Sequence, residues 1–198
     1  MRHVMALILL LGSVFPAAAA EKYVFDKSHT NIMWFASHFG FSDSMGQFME
    51  YDGHILLDRD TPENSAVEVN IHTASVMTGL EKFDAHLKSG DFFDVDTFPL
   101  ATFKSTRVDV IDRQHAKVLG DFTLLGKTHP LLLQVTLNKI GVNPYNQKQT
   151  AGFDVSATLK RSEFGMDYAL PGVGDEVKLQ IKAEAVLAAP EESPENAE

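Results

Sequence analysis

The chain has 198 residues, no cysteine and a formal net charge of −10. That balance excludes a disulfide scaffold and disfavours nucleic acid and anionic membrane surfaces as partners. Stability has to come from an apolar core, for which 44% hydrophobic residues, fourteen of them phenylalanine, supply the material.

Met1 to Ala20 reads as a secretory signal peptide. Arg2 and His3 form a short polar start, Val4 to Phe15 a mostly apolar run, and Ala18-Ala19-Ala20 a small-residue cleavage site before Glu21. The apolar run is too short to span a bilayer, so the expected mature protein is soluble and exported, with a periplasmic address. Pro190 to Glu198 is acidic and lacks apolar periodicity, which predicts a disordered tail. One domain, residues 21–189, lies between.

Tyr23-Val24-Phe25 opens that domain as a strand. From Ile32 to His38 the period is two, with Ile32, Trp34, Ala36 and His38 sharing one face. Gly40 and Ser42-Asp43-Ser44 predict a turn, and Gln47 to Asp58 a second long strand with Gly53 as a bulge or bend. After a turn at Thr61-Pro62-Glu63-Asn64, Ala66 to Thr73 alternates again. Glu81 to Phe103 then breaks the pattern. Leu80, Phe83 and Leu87 recur at helical spacing over Gly79–Lys88, and Phe92-Phe93, Asp94-Val95-Asp96 and Thr97-Phe98-Pro99 lead back into a strand. So many aromatics in one connection predict a lid, over either an ordinary core or a cavity for an apolar ligand.

Further strands follow near Ala101–Ile111, Ala116–Leu125, Pro130–Ile140, Thr150–Leu159 and Glu176–Leu187, joined by turn-forming sequences. Eight or so antiparallel strands with one helical insertion give an all-β class, a closed barrel or a sandwich. A barrel of about eight strands is just wide enough to hold one slender ligand.

The motifs point away from catalysis. Gly120 to Thr128 has the wrong spacing and a strand-to-strand setting for a phosphate-binding loop. No histidine pair has metal-ligand spacing, and no serine stands in an elbow or triad context. No cofactor, metal or catalytic residue is assigned. Asp84, Asp91, Asp94 and Asp96 are better explained by helix capping and loop solvation than by acid–base work.

Taken together, Asp26-Lys27-Ser28-His29-Thr30, Gly46-Gln47-Phe48, Asp84-Ala85-His86-Leu87-Lys88-Ser89 and Asp91-Phe92-Phe93-Asp94 resemble, in order, the signatures of one family. Phe98-Pro99, Phe103-Lys104-Ser105, Gly120-Asp121-Phe122-Thr123-Leu124 and Gly126-Lys127-Thr128-His129-Pro130 continue the match. Arg161-Ser162-Glu163-Phe164-Gly165-Met166 and Val173-Gly174-Asp175-Glu176-Val177 complete it. The chain resembles the YceI-like family of secreted, lipocalin-like polyisoprenoid-binding proteins over essentially the whole mature domain. It departs at Phe83, where the family often has Arg, at Glu163 for Asp and at Phe122 for Leu. Phe83 removes a cation that could meet an anionic head group, which favours a neutral quinone or lipid over a pyrophosphate.

The resemblance implies a lipocalin-like eight-stranded antiparallel β-barrel with one short helical lid, enclosing an isoprenoid quinone or polyprenyl chain for transport, storage or sequestration. Lining residues are expected at Ile32, Trp34, Phe48, Phe83, Leu87, Phe92, Phe93, Phe103 and Phe164. The polar end is expected at His29, His38, Asp84, His86 and Arg161. Beyond the isoprenoid-type lipid, a second copy closing an apolar mouth (a homodimer) and a membrane cytochrome receiving quinone are the partner classes carried forward. The competing class is an enzyme acting on a small lipid-like substrate, with His38 or His86 as general base.

Overall fold

A computed structural model describes residues 20–189. The readings of a signal peptide and of an acidic tail fall on 1–19 and 190–198, outside the described residues. The strands are β1 (Glu21–Phe25), β2 (Asn31–His38), β3 (Ser42–Phe48), β4 (Tyr51–Leu57), β5 (Ala66–His72), β6 (Val76–Met77), β7 (Leu100–Val110), β8 (His115–Leu124), β9 (Lys127–Val142), β10 (Gln149–Lys160) and β11 (Val173–Leu187). The one α-helix among the described residues, α1, is Glu81–Lys88.

Every pairing is antiparallel, and the ring β1-β4-β5-β7-β8-β9-β10-β11 closes through β1 against β11. The all-β, eight-stranded barrel with one helix is therefore present. On the edge away from β10, β11 serves two partners: Ala185–Leu187 lies beside β1, and Val173–Lys182 beside β2. The β2, β3 and β6 strands extend the wall beyond β1, β4 and β5. The kink between β1 and β2 is fixed on β11, where Asp26 N and Thr30 Oγ1 donate to Glu184 O, and Glu184 N donates back to Thr30 Oγ1.

Two local readings change. Ser42-Asp43-Ser44 is strand, paired with Ala36–His38, and the turn is one step earlier at Phe39-Gly40-Phe41, where Phe39 and Gly40 take positive φ. Gln47 to Asp58 is two strands because the backbone changes partners between them. Met49 N donates to Ser75 O and Glu50 N to Ser75 Oγ, so β3 ends on the segment before β6 and β4 begins afresh. Gly53 does mark a close approach. Its φ is +132, and a Cβ there would collide with the backbone of Glu68 across the ladder.

The interior divides in two. At one end Tyr23, Ala151, Phe153, Ala183 and Ala185 form a compact cluster, and the alanines let the strands draw together around the fully buried tyrosine. The larger cluster runs from Ile32, Trp34 and Phe48 through Phe103 and Phe122 to Leu159 and Met166. It is hollow. No helix among the described residues is long and apolar enough to cross a membrane.

Candidate ligand-binding site

The large cluster surrounds a cavity of about 610 Å³, within the range of roughly 300–1,000 Å³ typical of small-ligand pockets. None of the five residues of the compact end lines it. Strand alternation builds the walls: β2 turns Ile32, Trp34 and His38 inward, β3 Phe48, and β7 Phe103. The lid adds Phe83, His86 and Leu87 from α1, then Phe92 and Phe93 from the segment after it.

Edge-to-face aromatic contacts seat the lid. Phe83 meets Trp34 at 6.5 Å between ring centroids and Phe93 meets Phe48 at 5.4 Å. Beside these, His86, Phe92 and Tyr168 form a three-ring cluster at the cavity, with centroids 5.1–5.4 Å apart. Such pairs contribute about 0.5–1.5 kcal/mol each beyond simple burial. The turn before α1 is closed by Asp84, whose Oδ1 accepts from Thr78 N at 2.7 Å and Thr78 Oγ1 at 2.6 Å.

Arg161 lines the cavity and is 2% exposed. No carboxylate among the described residues pairs with it directly. Nε donates to Gly174 O, Nη1 to Met166 O and Nη2 to Val173 O, each at 2.9 Å. Burial lowers its pKa from the usual arginine value, and the charges of Asp175 and Asp167 act the other way. Asp175 in turn accepts from Ser162 N and Ser162 Oγ at 2.9 Å. The guanidinium thus ties both ends of the 161–174 segment, which carries Met166, Tyr168 and Ala169 to the cavity.

Three residues expected at the site lie elsewhere. Phe164 is buried behind the wall, between Phe122 at 5.5 Å and His129 at 5.1 Å. Asp84 faces the turn it closes. His29 is exposed, with Nδ1 2.8 Å from Asp26 Oδ2; that bond raises the His29 pKa and lowers that of Asp26. Asp26, His29 and Glu184 hold ligand-type atoms within 4.8 Å of one another, a geometry a metal ion could use, though local hydrogen bonding already accounts for it. His86 does reach the cavity, with Nε2 2.9 Å from Asp91 Oδ2.

Sequence reasoning missed much of the far wall, including Phe122 and Leu124 of β8, Leu131 and Leu133 of β9, and Leu179 and Ile181 of β11. Their period-two alternation was the available signal. Tyr168, Ala169 and Phe39 sit in irregular segments with no such signal.

A family model described as YceI-like domain matches residues 23–185. A UPF0312 protein of Pseudomonas aeruginosa (strain LESB58) is 35% identical over 190 residues, spanning 94% of this chain and 98% of that protein. A UPF0312 protein of Pseudomonas putida (strain W619) is 37% identical over 151 residues, 75% of this chain and 78% of the relative. Among solved structures, Burkholderia cenocepacia BcnA superposes with a TM-score of 0.74 at 22% identity, covering 81% of this chain and 98% of its own. The Campylobacter jejuni YCEI protein gives 0.69 at 27% identity, over 77% and 90%. A polyisoprenoid binding domain from Saccharophagus degradans gives 0.64 at 11% identity, over 85% and 99%.

Proposed function

The chain belongs to the YceI-like family, and on that premise we propose that it is a periplasmic binding protein, not an enzyme, that encloses an isoprenoid-type lipid in its barrel. The ligand is an isoprenoid quinone or polyprenyl chain, held for transport, storage or sequestration. The observation that carries this reading is the cavity itself: about 610 Å³, walled by aliphatic and aromatic side chains and covered by an aromatic lid. The shared fold of a domain described as polyisoprenoid binding agrees with it.

Burial supplies the affinity. At about 0.8 kcal/mol per methylene-sized group, several isoprene units gain on the order of 10 kcal/mol before the costs of ordering the ligand. Recognition then depends on tail length more than on the head. Export by way of the Met1–Ala20 sequence accounts for the periplasmic address, which cell fractionation tests.

The binding test is a titration with isoprenoid quinones of graded tail length, followed by calorimetry. Affinity should rise with each isoprene unit and level off once the cavity is full. Binding that ignores tail length, or no binding at all, overturns the proposal.

A further inference from the structure

The cavity has a mouth, and its rim is apolar. Phe39, Leu80 and Tyr168 line the cavity and are nevertheless 60%, 66% and 44% exposed, so they stand where it opens. Phe41, in the same β2–β3 turn as Phe39, is 91% exposed and lies outside the cavity. The turn sits at the end of the barrel away from the compact cluster. His38, just before it, pairs with Val173, whereas Ala183 and Ala185 lie at the other end of β11. The described chain also starts and stops at that far end, where β1 runs beside Ala185–Leu187.

The turn is firmly held. Phe39 N donates to Gly172 O at 2.7 Å and Phe41 N to His38 O at 3.0 Å, and a Cβ on Gly172 would strike the Phe39 ring. That packing accounts for Phe39. It leaves Phe41 unexplained, because serine or asparagine suits a turn better and keeps an apolar ring out of water. A single exposed apolar residue is ordinary, but four gathered round an entrance mark a contact surface.

A neutral bilayer fits this rim better than a second copy does. The four side chains offer on the order of 500 Å² of apolar surface, short of the about 800 Å² per partner in a stable protein interface. A second copy there would also stopper the entrance. The net charge of −10 gives an anionic surface no general hold. Arg161, the one arginine or lysine lining the cavity among the described residues, is bonded to three carbonyls. Lys178, near the turn, already pairs with Asp43 at 3.6 Å. Phenylalanine and leucine suit the acyl boundary, and Tyr168, with its polar tip, suits the headgroup level.

We propose that this rim is a membrane-docking face. The 39–41 turn, Leu80 and Tyr168 dip into the interface of a zwitterionic bilayer and set the cavity mouth against the acyl region. The ligand then passes between bilayer and barrel without crossing bulk water. The inference rests on the lipid-carrier reading and adds the surface at which the lipid is exchanged.

The protein, purified from an exporting host, is floated with vesicles of pure phosphatidylcholine at low and at high salt. It should float with them at both, because apolar insertion is not screened, and adding phosphatidylglycerol should not strengthen binding. F41D should bind the vesicles at least about tenfold more weakly, the effect of losing one inserted phenylalanine. Its affinity for a short-tailed isoprenoid quinone in solution should match the wild type, since Phe41 lies outside the cavity. A wild type that does not float, that floats only with anionic vesicles, or that floats no better than F41D overturns the docking face. So does a dimer, seen by sedimentation, that F41D dissolves, which assigns the rim to a second copy. Each of these results leaves the carrier reading intact; that reading falls instead if neither protein binds the quinone. Flotation of the wild type decides even if F41D does not fold.

Discussion

Replacing Arg161 by methionine nearly keeps the side-chain volume but removes three hydrogen bonds from a residue that is 2% exposed. The carbonyls of Met166, Val173 and Gly174 each lose a partner, at about 2 kcal/mol apiece, or about 6 kcal/mol in all. Removing a buried charge with no carboxylate directly against it returns several kcal/mol of desolvation, leaving a net loss of about 3 kcal/mol. For a domain of this size that lowers Tm by roughly 10 °C. Urea denaturation of the wild type, R161M and R161K measures it. R161K should lose at least as much, because an ammonium keeps the buried charge but cannot reach three divergent carbonyls with a planar fork. Affinity for a long-tailed quinone should fall as well, since the 161–174 segment brings Met166 and Tyr168 to the cavity. If R161M matches the wild type within about 0.5 kcal/mol, the segment does not depend on the guanidinium and its assigned role is wrong.

F164A should cost about 3–5 kcal/mol of stability while leaving tail-length selectivity in place, whereas F93A should weaken binding more than folding; paired denaturation and calorimetry separate them, and reversed effects would contradict the geometry. G53A should destabilise by at least about 1 kcal/mol, because the position combines positive φ with backbone contact across the ladder; a neutral result by thermal melting would count against the register of β4 and β5. The Asp26–His29 bond makes a pH statement. The raised His29 pKa means its stabilisation is full below the ordinary 6.5 and is lost as pH rises through the folded value. The lowered Asp26 pKa means its share is present above the ordinary 3.8 and is lost as pH falls through the depressed value. In D26N the His29 pKa, followed by NMR, should drop toward 6.5; no change would show the pair is not formed.

Regular alternation made the barrel legible. In β2 the spacing of Ile32, Trp34 and Ala36 put one buried face in plain view, and the helical spacing of Leu80, Phe83 and Leu87 separated the lid from its neighbours. What stayed hidden depended on distant backbone. The break at Met49-Glu50 exists because Ser75, twenty-five residues on, takes over the bonding of Glu50. Nothing near Arg161 in sequence announces that its three acceptors are carbonyls. Aromatic character alone did not say on which side of the wall Phe164 would fall, whereas Asp26 and His29, three residues apart, formed a pair that proximity could have suggested. The unpartnered indole N–H of Trp34 is a fact of packing, legible only once Gly46 is seen beneath it.

The central claim is that the barrel carries an isoprenoid-type lipid, and native mass spectrometry tests it most directly. The protein is purified from an exporting host without detergent, weighed intact and then extracted with solvent. The account predicts a discrete added mass that extraction identifies as an isoprenoid quinone or a polyprenyl chain. A clean ligand-free mass that stays unchanged after incubation with isoprenoid quinones and polyprenyl lipids would contradict it.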